Sequence, residues 1–235
     1  HARFLLVEGE KMSKSLGNFF TLRDLVLKGH KPSSIRYLLT SVPYRNQLNF
    51  TFDGLKQAAV SVERLRNFKL RMETAIFPAG SSPEMTQLVQ ETIDRMKAAL
   101  DDDLNTAQAQ AAIFEMVRAA NAAADAGTMK RDDTRPLLNA LSKFDEIFAV
   151  IKDDDAMKMR AVLEWASAAG REKDISAELR EIAASSALSD EAIDQKVAAM
   201  NAARKARRFQ ESDAIRAELN AAGIIVEITK DGVRW

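Results

Sequence analysis

Two lysines and two serines lie close together near the start of the chain, in the run Lys11-Met12-Ser13-Lys14-Ser15. The lysines carry positive charges on long flexible side chains, and the serine hydroxyls can donate hydrogen bonds. Ammonium groups that close on a substrate stabilise negative charge as it develops in a transition state, and this catalysis needs no proton transfer. The segment therefore predicts chemistry at phosphate groups, and an ordinary polar surface loop is the alternative.

A second cluster of chemically capable residues lies near the other end of the chain. We call it the C-terminal basic cluster, and its members are Arg204, Lys205, Arg207 and Arg208 with Phe209 and Asp213. Arginines hold RNA phosphates, an aromatic ring stacks on an unstacked base, and a carboxylate reads a base edge. The pattern fits recognition of single-stranded RNA, and it fits a charged helix face with a half-buried phenylalanine equally well.

The first of these segments needs elements on both sides to position it. Residues 3–8 form an apolar, strand-like stretch, and residues 11–18 form a polar loop that we call the lysine–serine loop. Gly17 gives this loop backbone freedom. Thr21 with Asp24 three residues later is typical of a helix start. The expected order is therefore strand, loop and helix.

Further along, the sequence predicts a helical protein. Ser33-Ser34 can start a short helix, residues 44–52 look irregular, and Asp53 can cap a long helix that ends near residue 72. A Pro- and Gly-containing linker over 77–83 leads to three amphipathic stretches, about 84–100, 105–126 and 130–150. Three or four such helices with short joints predict an antiparallel bundle.

Residues 101–103 are three aspartates, but their spacing lacks the alternating ligands and the glycine of a calcium loop. A helix end followed by a cap at Asn105 or Thr106 is the preferred interpretation. Beyond the bundle, residues 151–188 are weakly patterned. A helix opening at Ser189, a second helix, a β-branched strand over 224–228 and an Asp-Gly turn at 231–232 then predict a small α+β module.

Composition limits the function further. The 235 residues contain no cysteine, which excludes a disulfide framework, a catalytic thiol and a thiolate metal site. The formal net charge is +0, yet residues 1–72 hold 13 Lys/Arg against 5 Asp/Glu, while the remainder holds 21 against 29. The basic first third is a candidate surface for phosphates, or a solvated helix face. A chain without cysteine needs no oxidising compartment, so we expect a cytoplasmic protein. No apolar run is long enough to span a membrane.

The lysine–serine loop matches the KMSKS signature of class I aminoacyl-tRNA synthetases without a mismatch. Further runs make the chain resemble the cysteinyl-tRNA synthetases in particular, over nearly its whole length. They are Glu10 to Phe19, Ile35-Arg-Tyr-Leu-Leu39, Tyr44 to Phe50, Asp101 to Thr106, Asp213-Ala-Ile-Arg216 and Gly223 to Trp235.

The resemblance implies the C-terminal half of such an enzyme and a mainly α fold. The implied parts are the end of a class I catalytic domain (1–20), a stem-contact region with a long helix (21–76), a helical bundle (83–150), a flexible or helical connection (151–188) and an anticodon-binding module (189–235). Lys11 and Lys14 would be catalytic, and Lys11, Met12, Ser13, Lys14 and Ser15 would bind ATP. Arg204, Arg207, Arg208, Phe209 and Asp213 would bind tRNA.

The same resemblance implies cofactors and partners. They are ATP with Mg²⁺, cysteine and tRNA(Cys), with the protein acting as a monomer. The HIGH-type ATP motif and the ligands of the family's Zn²⁺ lie upstream of the KMSKS loop, so this chain would hold no metal and would be inactive alone. One departure is Ile228, which stands where the family often has a second acid after the residue matched by Glu227.

Two other functions stay open. One is the related ligase that joins cysteine to a glucosaminyl-inositol and shares the catalytic fold, although the module containing Asp213-Ala-Ile-Arg216 argues against a small-molecule ligase. The other is a stand-alone helical RNA-binding or interaction protein.

Overall fold

The computed structural model describes residues 5–185, 190–221, 226–229 and 232–234, and its architecture is mainly α, as predicted. Within the described residues the α-helices are α1 (Leu22–Leu27), α2 (Pro32–Leu39), α3 (Phe52–Thr74), α4 (Pro83–Asp101), α5 (Thr106–Asp125), α6 (Thr134–Phe148), α7 (Asp155–Ala168), α8 (Ala177–Ser185), α9 (Asp190–Lys205) and α10 (Phe209–Ala221). They belong to two compact units. The first unit contains the chain up to Phe20 and His30–Asp153, and the second contains Thr21–Gly29 and the chain from Asp154 onward.

A small sheet in the first unit supports the lysine–serine loop. Its strands are β1 (Leu6–Val7), β2 (Glu10–Lys11) and β3 (Asn49–Phe50), in the order β2-β1-β3. β1 pairs antiparallel with β2 and parallel with β3. Glu8 and Gly9 join β1 to β2 with φ values of 51° and 84°, as a tight hairpin turn requires. The first lysine of the loop is therefore the last residue of a strand.

Three of the local predictions are wrong. Residues 44–52 are not wholly irregular, because they contain β3, whose two residues are too short for an alternating pattern to reveal. α2 begins at Pro32 after Lys31, not at the serine pair, since proline suits the first helical position. α3 is capped by Thr51, whose hydroxyl accepts a hydrogen bond from the Gly54 N–H, and not by Asp53.

The predicted bundle is confirmed. α4, α5 and α6 pack with α3 around one apolar core, and their bounds lie within a few residues of the predicted ones. The core's largest fully buried side chains include Phe68, Leu65, Ile113, Met116, Leu137 and Phe144. Ser82 and Asn105 cap α4 and α5 by accepting from the N–H groups of Met85 and Gln108, which confirms the interpretation of the aspartate run as a helix end.

After α6, the side chains of Asp145 and Arg66 fix the backbone of residues 150–152. Ala149 has a left-handed φ of 51°. The Asp145 carboxylate then accepts from the backbone N–H groups of 150, 151 and 152 at 2.7, 2.7 and 3.2 Å. Arg66 donates to the carbonyls of the same three residues. The backbone N–H and carbonyl groups of residues 150–152 therefore all have hydrogen-bond partners, although these residues form no helix or strand.

In the second unit, α1 packs against α7 although about 130 residues of sequence separate them. Trp165 of α7 lies beneath two guanidinium groups, Arg23 at 4.3 Å and Arg171 at 5.5 Å from the ring centroid. Arg171 also pairs with Asp24 at 3.0 Å. Thr21 caps α1 in a capping box with Asp24, as predicted.

The carboxyl-terminal part of the second unit is built on α9 and α10, which pack against each other. Ile193, Val197, Met200, Leu219 and Val226 form its core. β4 (Glu227–Thr229) pairs antiparallel with β5 (Gly232–Arg234), which confirms a small sheet next to helices. Residues 224 and 225 of the predicted strand and Asp231 of the predicted turn lie outside the described residues. In the part of the chain described, no helix has the length and apolar character of a membrane span.

Candidate functional site

The lysine–serine loop is a compact structure held by its own polar groups. The Gly17 N–H donates to the Lys14 carbonyl at 3.2 Å, and Gly17 has a left-handed φ of 68°. The Ser13 hydroxyl accepts from the Leu16 N–H at 3.2 Å and lies 3.2 Å from the Ser15 hydroxyl. These bonds make two overlapping turns that present residues 14–16 to solvent.

Asn18 closes the base of this loop. Its amide oxygen accepts from the Ser13 N–H at 2.8 Å, and its amide nitrogen donates to the Lys11 carbonyl at 3.2 Å. One side chain therefore joins both ends of the loop. Asn18 is not among the site residues predicted from the sequence, although asparagine in a glycine-containing loop is a signal of such a bridge.

The two lysines of the loop have different settings. Lys11 ends strand β2 and is exposed. Lys14 is exposed on the loop, and its ammonium lies 5.6 Å from the centroid of the Phe19 ring. No carboxylate of the described residues forms an ion pair with Lys14. The charge of Lys14 is therefore not neutralised by a carboxylate in the part of the chain that the structure describes.

The members of the C-terminal basic cluster meet at the joint between α9 and α10. Arg207 takes a left-handed φ of 57°. The Arg207 N–H donates to the Arg204 carbonyl and the Arg208 N–H to the Ala203 carbonyl, so the end of α9 has the hydrogen bonds of a helix-terminating motif. Arg204, Lys205, Arg207, Arg208, Phe209 and Asp213 are all exposed. The structure thus brings together the residues that the sequence analysis groups here.

Two observations favour a ligand-binding role for this face over helix packing. Phe209 is 57% exposed at the first position of α10, so its ring is not part of the core of this module. Arg208 pairs with Glu211 at 2.8 Å, whereas Arg204 and Arg207 have no ion pair within the described residues. Arg204, Arg207 and Phe209 therefore occupy exposed positions at this joint, and Asp213 is exposed four residues after Phe209 on α10.

A polar contact that the sequence analysis missed joins two of the quoted runs. Asp103 accepts from the Tyr44 hydroxyl at 2.8 Å and forms a two-pronged ion pair with Arg45. Arg45 and the Tyr44 hydroxyl hold the pKa of the Asp103 carboxyl below its usual value, and Asp103 in turn raises the pKa of Tyr44. Asp103 and Leu104 both have a φ of 54°. Asp103 therefore joins Tyr44 and Arg45 to the connection between α4 and α5 within the first unit. Its negative charge is balanced by Arg45.

The residues that the structure describes do not fit a zinc ion. Zinc in proteins takes sulfur, imidazole or carboxylate ligands in a tetrahedral set. The chain has no cysteine and two histidines, and the described residues contain no group of three potential metal ligands. No chemical step is therefore assigned to zinc here.

Two family models match parts of this chain. A family model described as tRNA synthetases class I (C) catalytic domain matches residues 1–60, which include the lysine–serine loop. A second model, described as DALR domain, matches residues 95–152, which include α5 and α6.

Curated proteins named cysteine–tRNA ligase match the whole chain. The protein from Koribacter versatilis is 63% identical over 235 residues, which are 100% of this chain and 48% of that protein. Those from Solibacter usitatus and Protochlamydia amoebophila are 47% and 34% identical, and the chain again aligns over its full length, with 44% and 43% of theirs. The chain thus spans slightly less than half the length of these relatives. These matches show that it belongs to the cysteine–tRNA ligase family of class I tRNA synthetases.

Proposed function

We propose that this chain is the C-terminal part of an enzyme that activates cysteine with ATP and transfers it to tRNA(Cys). The lysine–serine loop would serve the activation step, and the C-terminal basic cluster would bind the anticodon of the tRNA. The full-length similarity to proteins named cysteine–tRNA ligase supports this assignment over a cysteine ligase with a sugar acceptor and over a non-enzymatic RNA-binding protein.

The observation that carries the proposal is the setting of the loop. Its match to the class I catalytic model coincides with an exposed Lys14 that no carboxylate of the described residues neutralises. When the cysteine carboxylate attacks the α-phosphate of ATP, negative charge builds on the phosphates and on the departing pyrophosphate. Lys11 and Lys14 would stabilise that charge, and the Ser13 and Ser15 hydroxyls would donate to phosphate oxygens.

Mg²⁺ would arrive bound to ATP. The zinc ion and the second ATP motif implied by the resemblance would come from sequence upstream of this chain. For that reason we propose that the 235 residues alone do not activate cysteine. A cytoplasmic location fits a cysteine-free chain, which needs no oxidising compartment.

The proposal predicts that Lys14→Ala in the complete enzyme slows cysteine-dependent exchange of pyrophosphate into ATP by about a hundredfold or more, because one transition-state charge contact is lost. Lys11→Ala should act in the same direction. Lys56→Ala is the matched control, since Lys56 is an exposed lysine of α3 that pairs with Asp53. Equal exchange rates for wild type and both loop variants would show that the loop is only a polar surface loop.

A further inference from the structure

Lys14 does not point freely into solvent in this structure. Its ammonium lies 5.6 Å from the centre of the Phe19 ring, a distance at which a cation is attracted to the face of an aromatic ring. The contact links the second lysine of the lysine–serine loop to the first residue after it. To carry its ammonium to a phosphate that lies outside this contact, the Lys14 side chain would have to leave the ring.

Phe19 is more exposed than the phenylalanine that follows it. Its ring is 41% exposed, whereas its neighbour Phe20 is half-buried and packs edge-on against Phe52 at 5.6 Å. Burial of apolar area therefore does not fully account for an aromatic ring at position 19. The exposed ring instead provides a surface on which the Lys14 side chain lies.

The backbone of the loop fixes this pairing. Asn18 bonds both Ser13 and Lys11, so the residue just before Phe19 is held against the start of the loop. The turn from Lys14 to Gly17 then returns the chain toward the ring. Lys14 and Phe19 therefore meet because the loop is closed.

We propose that Phe19 is a positioning residue that holds Lys14 in a resting state, from which the lysine must be released before it can act on ATP phosphates. The inference rests on the proposed function of the loop and adds a residue that regulates it. The resting state competes with the active one, so the affinity for ATP is reduced by the fraction of molecules in which Lys14 is held.

The size and sign of the effect follow from this competition. A cation–ring contact at an exposed site shifts such an equilibrium by about two- to fivefold. Phe19→Leu keeps an apolar side chain but removes the ring face. We therefore expect the KM for ATP in pyrophosphate exchange to fall by about two- to fivefold, with kcat nearly unchanged.

The test uses the complete enzyme with Phe19→Leu, Lys14→Ala and the double variant. Phe20→Leu is the matched control, because it makes the same change in the adjacent ring, which packs on Phe52. We expect the lower KM only for Phe19→Leu, and no further decrease when Phe19→Leu is added to Lys14→Ala. If the Phe19 ring had a purely structural role, Phe19→Leu would lower the activity equally in the wild-type enzyme and in the Lys14→Ala variant.

A second measurement needs no catalysis. In the 235-residue chain, proton NMR of the Lys14 side chain should show ε-methylene signals shifted upfield by the Phe19 ring, and Phe19→Leu should remove that shift. Unshifted signals in the wild type, or an unchanged KM in Phe19→Leu while Lys14→Ala still costs about a hundredfold, would overturn the resting state and leave the proposed function standing. If Lys14→Ala has no effect on exchange, the proposed role of the loop fails, and the inference fails with it.

Discussion

Arg207 has a backbone conformation that favours glycine over other residues. Its φ of 57° is left-handed, and this position after a helix is most often glycine. A non-glycine residue there costs roughly 1–2 kcal/mol. An exposed arginine kept at such a position is consistent with a role for its side chain in binding, because folding alone would prefer glycine.

The first prediction separates these two effects. Arg207→Gly should leave the melting temperature unchanged or raise it, because strain is relieved, and should weaken binding of tRNA regardless of its anticodon. The plot of log affinity against log salt should become shallower by about one unit, as expected for a lost phosphate contact. The measurement is a tRNA titration at several salt concentrations, with thermal unfolding of the same samples.

Lys196→Ala is the control for this prediction, because Lys196 also lies on α9 but pairs with Glu218. A variant Arg207→Gly that binds tRNA as tightly as wild type, with the same salt dependence, would contradict a phosphate contact.

The second prediction concerns base recognition by Phe209 and Asp213. Stacking on an aromatic ring is worth about 1–3 kcal/mol per base. Phe209→Ala and Asp213→Ala should therefore reduce the preference for tRNA(Cys) over the same tRNA with a swapped anticodon. The two affinities are compared for each variant at one salt concentration. An unchanged ratio in both variants would mean that another part of the protein reads the anticodon.

The lysines and arginines of the first third show what sequence can and cannot predict at this scale. Motif identity predicts the lysine–serine loop, because its chemistry lies within five consecutive residues. The number of lysines and arginines does not tell which of them are able to bind a ligand. Arg66 and Arg71 belong to the basic third, yet Arg66 binds backbone carbonyls near residue 151 and Arg71 binds Asn121 and Asp125. Partners 50 or more residues away decide which charges reach a ligand.

At the scale of elements, Gly29, which follows the end of α1, lies against the start of α8. It has a φ of 88°, and a Cβ atom there would lie 2.9 Å from the Cβ of Glu178 on α8. That atom cannot rotate away, so α8 itself would have to move. The Ser176 N–H donates to the Leu27 carbonyl beside this contact, at 2.9 Å.

The third prediction follows from that contact. Gly29→Ala should lower the free energy of unfolding by about 2–4 kcal/mol, from the left-handed backbone and the steric overlap together. Gly170→Ala is the control in the same unit, because Gly170 has a φ of 67° with open space around it, so only the backbone cost applies. Chemical denaturation of both variants measures the difference. Equal losses would show that α8 yields without cost.

Helices and their caps are the part of the fold that the sequence predicts best. Regular apolar spacing and short-range caps such as Ser82 and Asn105 are local properties, and the structure confirms them. β3 and the α1–α7 contact are different, because both depend on pairing between residues far apart in sequence. No local pattern at residues 21–29 distinguishes a helix that packs on its neighbours from one that packs on α7.

At the scale of the whole molecule, the second unit is assembled from two separate stretches of chain. Residues 21–29 belong to it, while residues 30–153 belong to the first unit. The domain boundaries proposed from sequence are linear and place residue 21 with a stem-contact region that runs to 76. The boundaries proposed from sequence stay predictions. The boundary between the two compact units after Asp153 can be tested through the packing of α1.

The fourth prediction uses a protease site inserted between Asp153 and Asp154. After cleavage, the two pieces should still elute together in gel filtration without denaturant, because the first piece contributes α1 to the second unit. Val26 is 2% exposed in α1, so Val26→Asp should make the cleaved pieces separate. Separation of the pieces without that substitution would show that α1 is not held firmly.

The packing of α1 on α7 also has a consequence for synthesis of the protein. About 140 residues separate the end of α1 from the end of α7, so at about 5–20 residues per second the ribosome needs roughly 7 to 28 seconds to complete α7 after α1 has been made. During that time Leu25, Val26 and Leu27 lack the partner helix that they have in the finished fold. The nascent chain therefore carries an uncovered apolar segment directly after its lysine–serine loop until α7 has been made.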